Sequence, residues 1–119
     1  MHELSLAQAL VEQLEQIRAK EHAGAVVSVT VNIGALSGVD RGAFEFAFPI
    51  AVDGTVAAGA TLVIVESPVV VTCEECGQPS QPALDDIHCA ACGSRKVRIT
   101  DGRDFLIQSV ELQEREGNH

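Results

Sequence analysis

Two short cysteine pairs constrain this chain more than any other feature. Cys73-Glu-Glu-Cys76-Gly77 and Cys89-Ala-Ala-Cys92-Gly93 flank the segment Gly77–His88. This is C-x2-C, a loop, then C-x2-C, the spacing of a zinc ribbon. A tight turn between two such cysteines aims both sulfurs at one ion, and the glycine that follows permits the turn. Four thiolates close a tetrahedron around Zn(II) and leave no position open for substrate, so the site is expected to be structural. Cys73–Arg98 is short and has little apolar bulk. Metal binding must therefore supply much of its folding free energy, on the order of 10 kcal/mol. A tetrathiolate iron site would use similar spacing, but the segment lacks the aromatic packing expected around it. Redox C-x2-C pairs usually occur singly, at a helix start in a βαβ context. His88 adjoins Cys89 and could replace a cysteine, although four cysteines already complete the ligand set.

Charge narrows the choice of partners. Eight Lys and Arg stand against 17 Asp and Glu, a net charge of −9, whereas a phosphate-backbone binder needs clustered positive charge. Even the ribbon segment, which holds the basic cluster Arg95-Lys96-Val97-Arg98, also carries Glu74, Glu75, Asp85 and Asp86. With no Trp or Tyr and four Phe, the chain offers little for stacking single-stranded bases. No nucleic-acid partner is expected. The first charged residue is Glu3 and no Lys or Arg precedes Arg18, which is not a secretory start. The longest stretch without Asp, Glu, Lys or Arg, His22–Val39, alternates apolar and polar residues and does not suit a membrane span. A soluble, cytoplasmic protein is expected, and its cysteines are then metal ligands before they are disulfides.

Periodicity supplies the remaining elements. Leu4, Ala7, Leu10, Val11, Leu14 and Ile17 fall at helical spacing, so a helix is predicted from Leu4 to about His22. Ser5 with Gln8 would form a capping box and Gly24 would end the segment. Val27, Val29, Val31 and Ile33 alternate with Ser28, Thr30 and Asn32, a half-buried strand. Asp40 is an N-cap candidate for a helix over Arg41–Ile50. Phe44 and Phe48 share a face of that helix and Pro49 limits it, although Phe44-Phe46-Phe48 also alternates like a strand. Asp53-Gly54 marks a turn. Thr61–Val71 reads as a second strand with an edge or bend at Pro68. Phe105–Gln113 reads as a third, with Leu106, Val110 and Leu112 on one face, and Glu114–His119 as a polar, frayed tail.

The amino terminus offers a second metal chemistry. A free α-amine on Met1, a deprotonated backbone nitrogen and the His2 imidazole Nδ1 can close fused chelate rings on one ion. Amide-nitrogen donors enforce a square-planar field, which suits Ni(II) and Cu(II) and disfavours Zn(II). Glu3 adds a carboxylate and a further backbone nitrogen. The alternative is a frayed end with an idle histidine.

Met1-His2-Glu3-Leu4-Ser5-Leu6 resembles the start of the HypA/HybF family of nickel chaperones for [NiFe]-hydrogenase maturation. Gly34-Ala35-Leu36-Ser37-Gly38-Val39, Phe44-Glu45-Phe46-Ala47-Phe48 and Ala60-Thr61-Leu62 look like its middle blocks. Both cysteine pairs follow, and Ile107-Gln108-Ser109-Val110-Glu111 is similar to its last strand. The resemblance runs in order along essentially the whole chain. It implies an α+β protein in two parts. Residues 1–72 and 99–119 would form a nickel-binding domain, a small three-stranded sheet with two helices. Residues 73–98 would form an inserted zinc ribbon held by Cys73, Cys76, Cys89 and Cys92. It also implies that His2 is the essential nickel ligand, with Glu3 tuning the site and Met1 and Asp40 as further candidates. Asp40 then has two competing roles, ligand and helix cap. The implied function is non-enzymatic: Ni(II) is transferable cargo for the hydrogenase large subunit, passed on with the GTPase HypB. Some relatives also serve urease, which makes urease maturation proteins a further implied partner.

Three rivals stand beside this function. They are a nucleic-acid-binding ribbon, a zinc adaptor that docks another protein while His2 is idle, and a thiol oxidoreductase.

Overall fold

The computed structural model describes residues 2–114. Met1 and the tail from 115 onward, where most of the polar, frayed end was expected, lie outside the described residues. The elements run α1 (His2–Lys20), β1 (Ala25–Gly34), α2 (Arg41–Val52), β2 (Thr61–Ser67), β3 (Val70–Cys73), β4 (Pro79–Ser80), β5 (Val97–Asp101) and β6 (Phe105–Gln113). Two three-stranded sheets form, in the orders β2-β1-β6 and β4-β3-β5. The fold is α+β, as the sequence implies. No helix among the described residues is long and apolar enough to cross a membrane.

The chain divides into two compact units, one made of residues 2–31, 40–64 and 107–114, the other of 32–39 and 65–106. In the first, α1 packs on α2. Ala7, Leu10, Val11 and Leu14 from α1 are buried, as are Phe44, Ala47, Phe48 and Val52 from α2 and Val26, Val29 and Val31 from β1. The Phe44 and Phe48 rings lie 6.2 Å apart, while Phe46 is 74% exposed. That contrast settles the helix over the alternating-strand pattern, because i and i+4 share a helical face and i+2 does not.

Several boundaries differ from the periodic reading. Helix α1 starts at His2, so Ser5 lies inside it and cannot cap it. It ends at a Schellman turn in which the His22 amide donates to the Ala19 carbonyl at 3.2 Å and the Ala23 amide to Arg18 at 3.0 Å. His22 holds the left-handed position at φ 56°, the place expected of a glycine, and Gly24 plays no part in the stop. Helix α2 continues through Pro49 to Val52. Proline removes the bond to the carbonyl four residues back, here that of Glu45, and both residues are exposed, where that loss is mildest. The Asp53-Gly54 turn forms as expected. Asp53 sits at φ −58° and ψ 129°, Gly54 at φ 74°, and the Thr55 amide bonds Val52 at 3.0 Å, which is a type II turn.

Strand burial also shifts phase. In β1 the buried side chains are Val26, then Val29, Val31 and Ile33, and Val27 turns outward. In β6 the half-buried set is Phe105 and Ile107, then Val110 and Leu112, so Leu106 does not share a face with Val110. The alternation of burial breaks between Val26 and Val29 and between Ile107 and Val110, and a pattern read by strict alternation misses such a change of phase. The expected strand Thr61–Val71 is two strands, broken where Pro68 has no amide to donate.

Candidate metal centre

In the second unit, β3 delivers Cys73 at its last residue, and β5 pairs with it antiparallel through Val71–Ile99, Thr72–Arg98 and Cys73–Val97. Each cysteine pair then folds into the same knuckle. The Cys76 and Glu75 amides donate to Cys73 Sγ, both at 3.3 Å, and the Cys92 amide to Cys89 Sγ at 3.4 Å. The Gly77 amide closes on the Cys73 carbonyl at 3.0 Å and that of Gly93 on Cys89 at 2.8 Å. Gly77 and Gly93 sit at φ 77° and 79°, which a side chain would strain. The glycine after each pair thus has the role the motif assigns it.

The knuckles face one another. Cys73 and Cys92 sulfurs are 3.6 Å apart, Cys76 and Cys89 also 3.6 Å, and all four sulfurs lie within 4.8 Å of one another. A tetrahedral ion with thiolate bonds of about 2.3 Å needs sulfur separations of about 3.8 Å, so the four residues fit a metal. They offer a closed set of soft donors, the set a structural zinc uses. Cys73 and Cys89 are buried while Cys76 and Cys92 are exposed. As free thiols the four do not titrate alike. The Cys76 amide, with that of Glu75, holds the Cys73 thiol down at about 6. The Cys92 amide, with that of Ala91, lowers Cys89. The Gln78 amide favours the Cys76 thiolate, but desolvation and the Cys89 and Cys73 sulfurs outweigh it and the thiol is raised. At Cys92 the Ser94 amide is likewise outweighed by the Cys73 sulfur and desolvation, which push the thiol up to about 12.

Around the cluster, Cys89 donates its amide to the Ser94 carbonyl at 2.8 Å and Glu74 to that of Lys96 at 2.8 Å. The Ser94 hydroxyl also donates to the Glu75 carboxylate. Ser94 and Glu75 therefore brace the two knuckles, a role that no motif in the sequence marks. The basic cluster is partly spent on the ribbon itself. Arg95 reaches Asp86 at 2.9 Å and holds that carboxyl below its usual range. His88 Nδ1 lies 3.5 Å from the same carboxylate, and among the described residues the four sulfurs are the group placed to hold a metal.

The other singled-out residues lie in the first unit. His2 and Glu3 open α1, with His2 exposed and Glu3 half-buried. Asp40 is the N-cap of α2: its Oδ1 accepts from the Ala43 amide at 2.9 Å, and its carbonyl accepts from the Phe44 amide at 2.9 Å. Its own amide donates to Glu3 Oε2 at 3.2 Å. The structure thus brings Glu3 and Asp40 together.

A family model described as hydrogenase/urease nickel incorporation, metallochaperone, hypA, matches residues 1–112. The chain is 43% identical over 112 residues to the hydrogenase maturation factor HypA of Nitrosospira multiformis, covering 94% of this chain and 97% of that one. It is 35% identical to the hydrogenase maturation factor HybF of Escherichia coli K12, over 95% of this chain and all of the relative. The solution structure of the nickel metallochaperone HypA from Helicobacter pylori superposes with a TM-score of 0.71 at 31% identity, over 95% of this chain and 98% of that one. On sequence and fold together, the chain belongs to the HypA/HybF family of hydrogenase maturation factors and nickel metallochaperones.

Proposed function

We propose that this chain carries Ni(II) at its amino terminus and delivers it to the large subunit of a [NiFe]-hydrogenase, with the GTPase HypB assisting and urease maturation proteins as a second outlet. In this reading it works in the cytoplasm and catalyses no reaction. Zn(II) stays in Cys73, Cys76, Cys89 and Cys92. Residues 73–98 act as the ribbon, and 1–72 with 99–119 as the nickel-carrying part.

One observation carries the reading: α1 begins at His2. The first backbone N–H groups of an α-helix have no intrahelical acceptor. The nitrogens of His2 and Glu3 can therefore lose their protons to a metal without breaking a helical bond. The Met1 α-amine, the His2 nitrogen and His2 Nδ1 would be the donors that hold Ni(II), and the Glu3 nitrogen is a further candidate. Such nitrogen donors suit Ni(II) over Zn(II). Asp40 has committed Oδ1 to the cap, which leaves Oδ2 as the oxygen a ligand role would use. The exposure of His2 suits transfer, because solvent-accessible ligands can be exchanged one at a time. A Kd of about 1 μM, or about 8 kcal/mol, would hold the ion and still release it.

The test is metal analysis of untagged protein after nickel loading, wild type beside His2→Ala. The variant should lose stoichiometric nickel and keep its zinc. Equal nickel in both proteins would refute the terminal site. One extra residue fused before Met1 should also impair binding, because it removes the free amine.

A further inference from the structure

The geometry points to Glu3 as a positioning residue: its carboxylate completes the N-terminal cap of α2 from a different helix and so tethers the first turn of α1. In a capping box, the N-cap side chain bonds the N3 amide, and a Glu or Gln at N3 reaches back to the N-cap amide. Helix α2 has the first half of this device, with Asp40 Oδ1 on the Ala43 amide. It cannot have the second half in cis, because N3 is Ala43, which has no carboxylate. The missing acceptor is Glu3 Oε2, 3.2 Å from the Asp40 amide and brought in from α1.

The contact matters because little else fixes that turn. The first fully buried residue of α1 is Ala7. Ahead of it His2 and Ser5 are exposed, and Glu3, Leu4 and Leu6 are half-buried. Core packing therefore sets where α1 lies from Ala7 on, and the Glu3–Asp40 bond sets where its first turn lies. The carboxylate also sits in the first turn of α1 and at the start of α2, where both helix dipoles favour negative charge. The consequence for nickel rests on the proposed terminal site. With its carboxylate committed to Asp40, Glu3 acts on that site by holding the His2–Glu3 backbone in place, and what it can offer an ion is its nitrogen.

The test combines amide hydrogen exchange at Asp40 with nickel titration of the zinc-loaded, untagged chain. Glu3→Ala should speed Asp40 exchange about tenfold, the loss of one charge-assisted bond, and weaken nickel binding several-fold. Glu3→Gln keeps an acceptor oxygen and should recover most of both. Ala43→Glu added to Glu3→Ala supplies the missing half of the box in cis. It should restore Asp40 protection and leave nickel binding weak, because the α2 cap is repaired and the α1 tether is not. Unchanged Asp40 exchange in Glu3→Ala would overturn the tether. So would nickel binding restored by Ala43→Glu, or a Glu3→Gln variant that protects Asp40 yet binds nickel no better than Glu3→Ala. If His2→Ala binds nickel as wild type does, the terminal site fails instead, and the exchange rates still decide the cap.

Discussion

Stripping the metal from the four-cysteine centre should unfold residues 74–98 and leave the helical unit folded. The magnitude follows from where burial lies. Within 73–98 the fully buried residues are Cys73 and Cys89, both of them ligands. Burying a Val- or Leu-sized side chain contributes about 1.5–3 kcal/mol, and a cysteine is smaller, so the two together give about 3 kcal/mol at most. A structural zinc contributes about 10–16 kcal/mol near neutral pH, so such an ion in this centre would stabilise the ribbon several-fold more than its buried side chains do. The helical unit draws on Phe44, Leu14, Val29 and Val31, all at 0% exposure. The assay is amide exchange before and after chelation under reducing conditions. The Glu74, Gly77, Cys89 and Gly93 amides, each bonded to ribbon backbone, should lose protection, while amides of α2 and the centre of β1 keep it. Ribbon protection that survives complete metal removal would refute the reasoning. So would loss of α2 protection in step with the ribbon.

Two further outcomes are expected. His22→Gly should stabilise the chain by about 0.5–1 kcal/mol, because His22 holds φ 56° at a left-handed cost of about 1–2 kcal/mol, offset by the greater freedom glycine has when unfolded. Thermal unfolding of the metal-loaded protein should show Tm rising by about 2–4 °C. Zinc uptake at about pH 7.5 should release protons from Cys76 and Cys92, whose thiols are raised, Cys92 to about 12, whereas Cys73 at about 6 is already a thiolate. Below about pH 6 the metal-free Cys73 thiolate also takes up a proton, so more protons compete with zinc and zinc retention should fall as pH falls; a pH-stat and a zinc-selective dye would read both effects.

What could be read from the sequence was what short spacing dictates. The helical spacing of Leu10, Val11 and Leu14 marked α1, and the Asp40 cap with Phe44 and Phe48 marked α2, because each signal lies within a turn or two of helix. The misses have local physical causes of another kind. His22 ends α1 in a conformation that favours glycine. Pro49 sits inside α2 because its lost bond falls on the exposed side. The phase shifts in β1 and β6 depend on pairing with other strands, which no alternation within one strand can report. Strands β4 and β5 have too few residues and too little apolar pattern to register, and they exist because the knuckles bring their ends together.

The metal centre and the amino terminus differ in legibility for the same reason. A sulfur cage is built from two local turns, so residue spacing alone specifies each half, and the meeting of the halves follows from the demand for four donors. The Glu3–Asp40 bond joins residues 37 positions apart on two helices and depends on how α1 packs against α2. Both residues stood out separately, one beside His2 and one as a cap, and nothing in their spacing joins them. One trace was available: an N-cap aspartate followed at N3 by alanine is a capping box short of one acceptor. An N-cap amide at a helix end needs a partner or water, and the sequence contains an acidic residue at the start of the neighbouring helix. Incomplete local motifs are in this sense pointers to tertiary contacts. Here the pointer leads from a helix cap to Glu3, beside the His2 at which nickel binding is proposed.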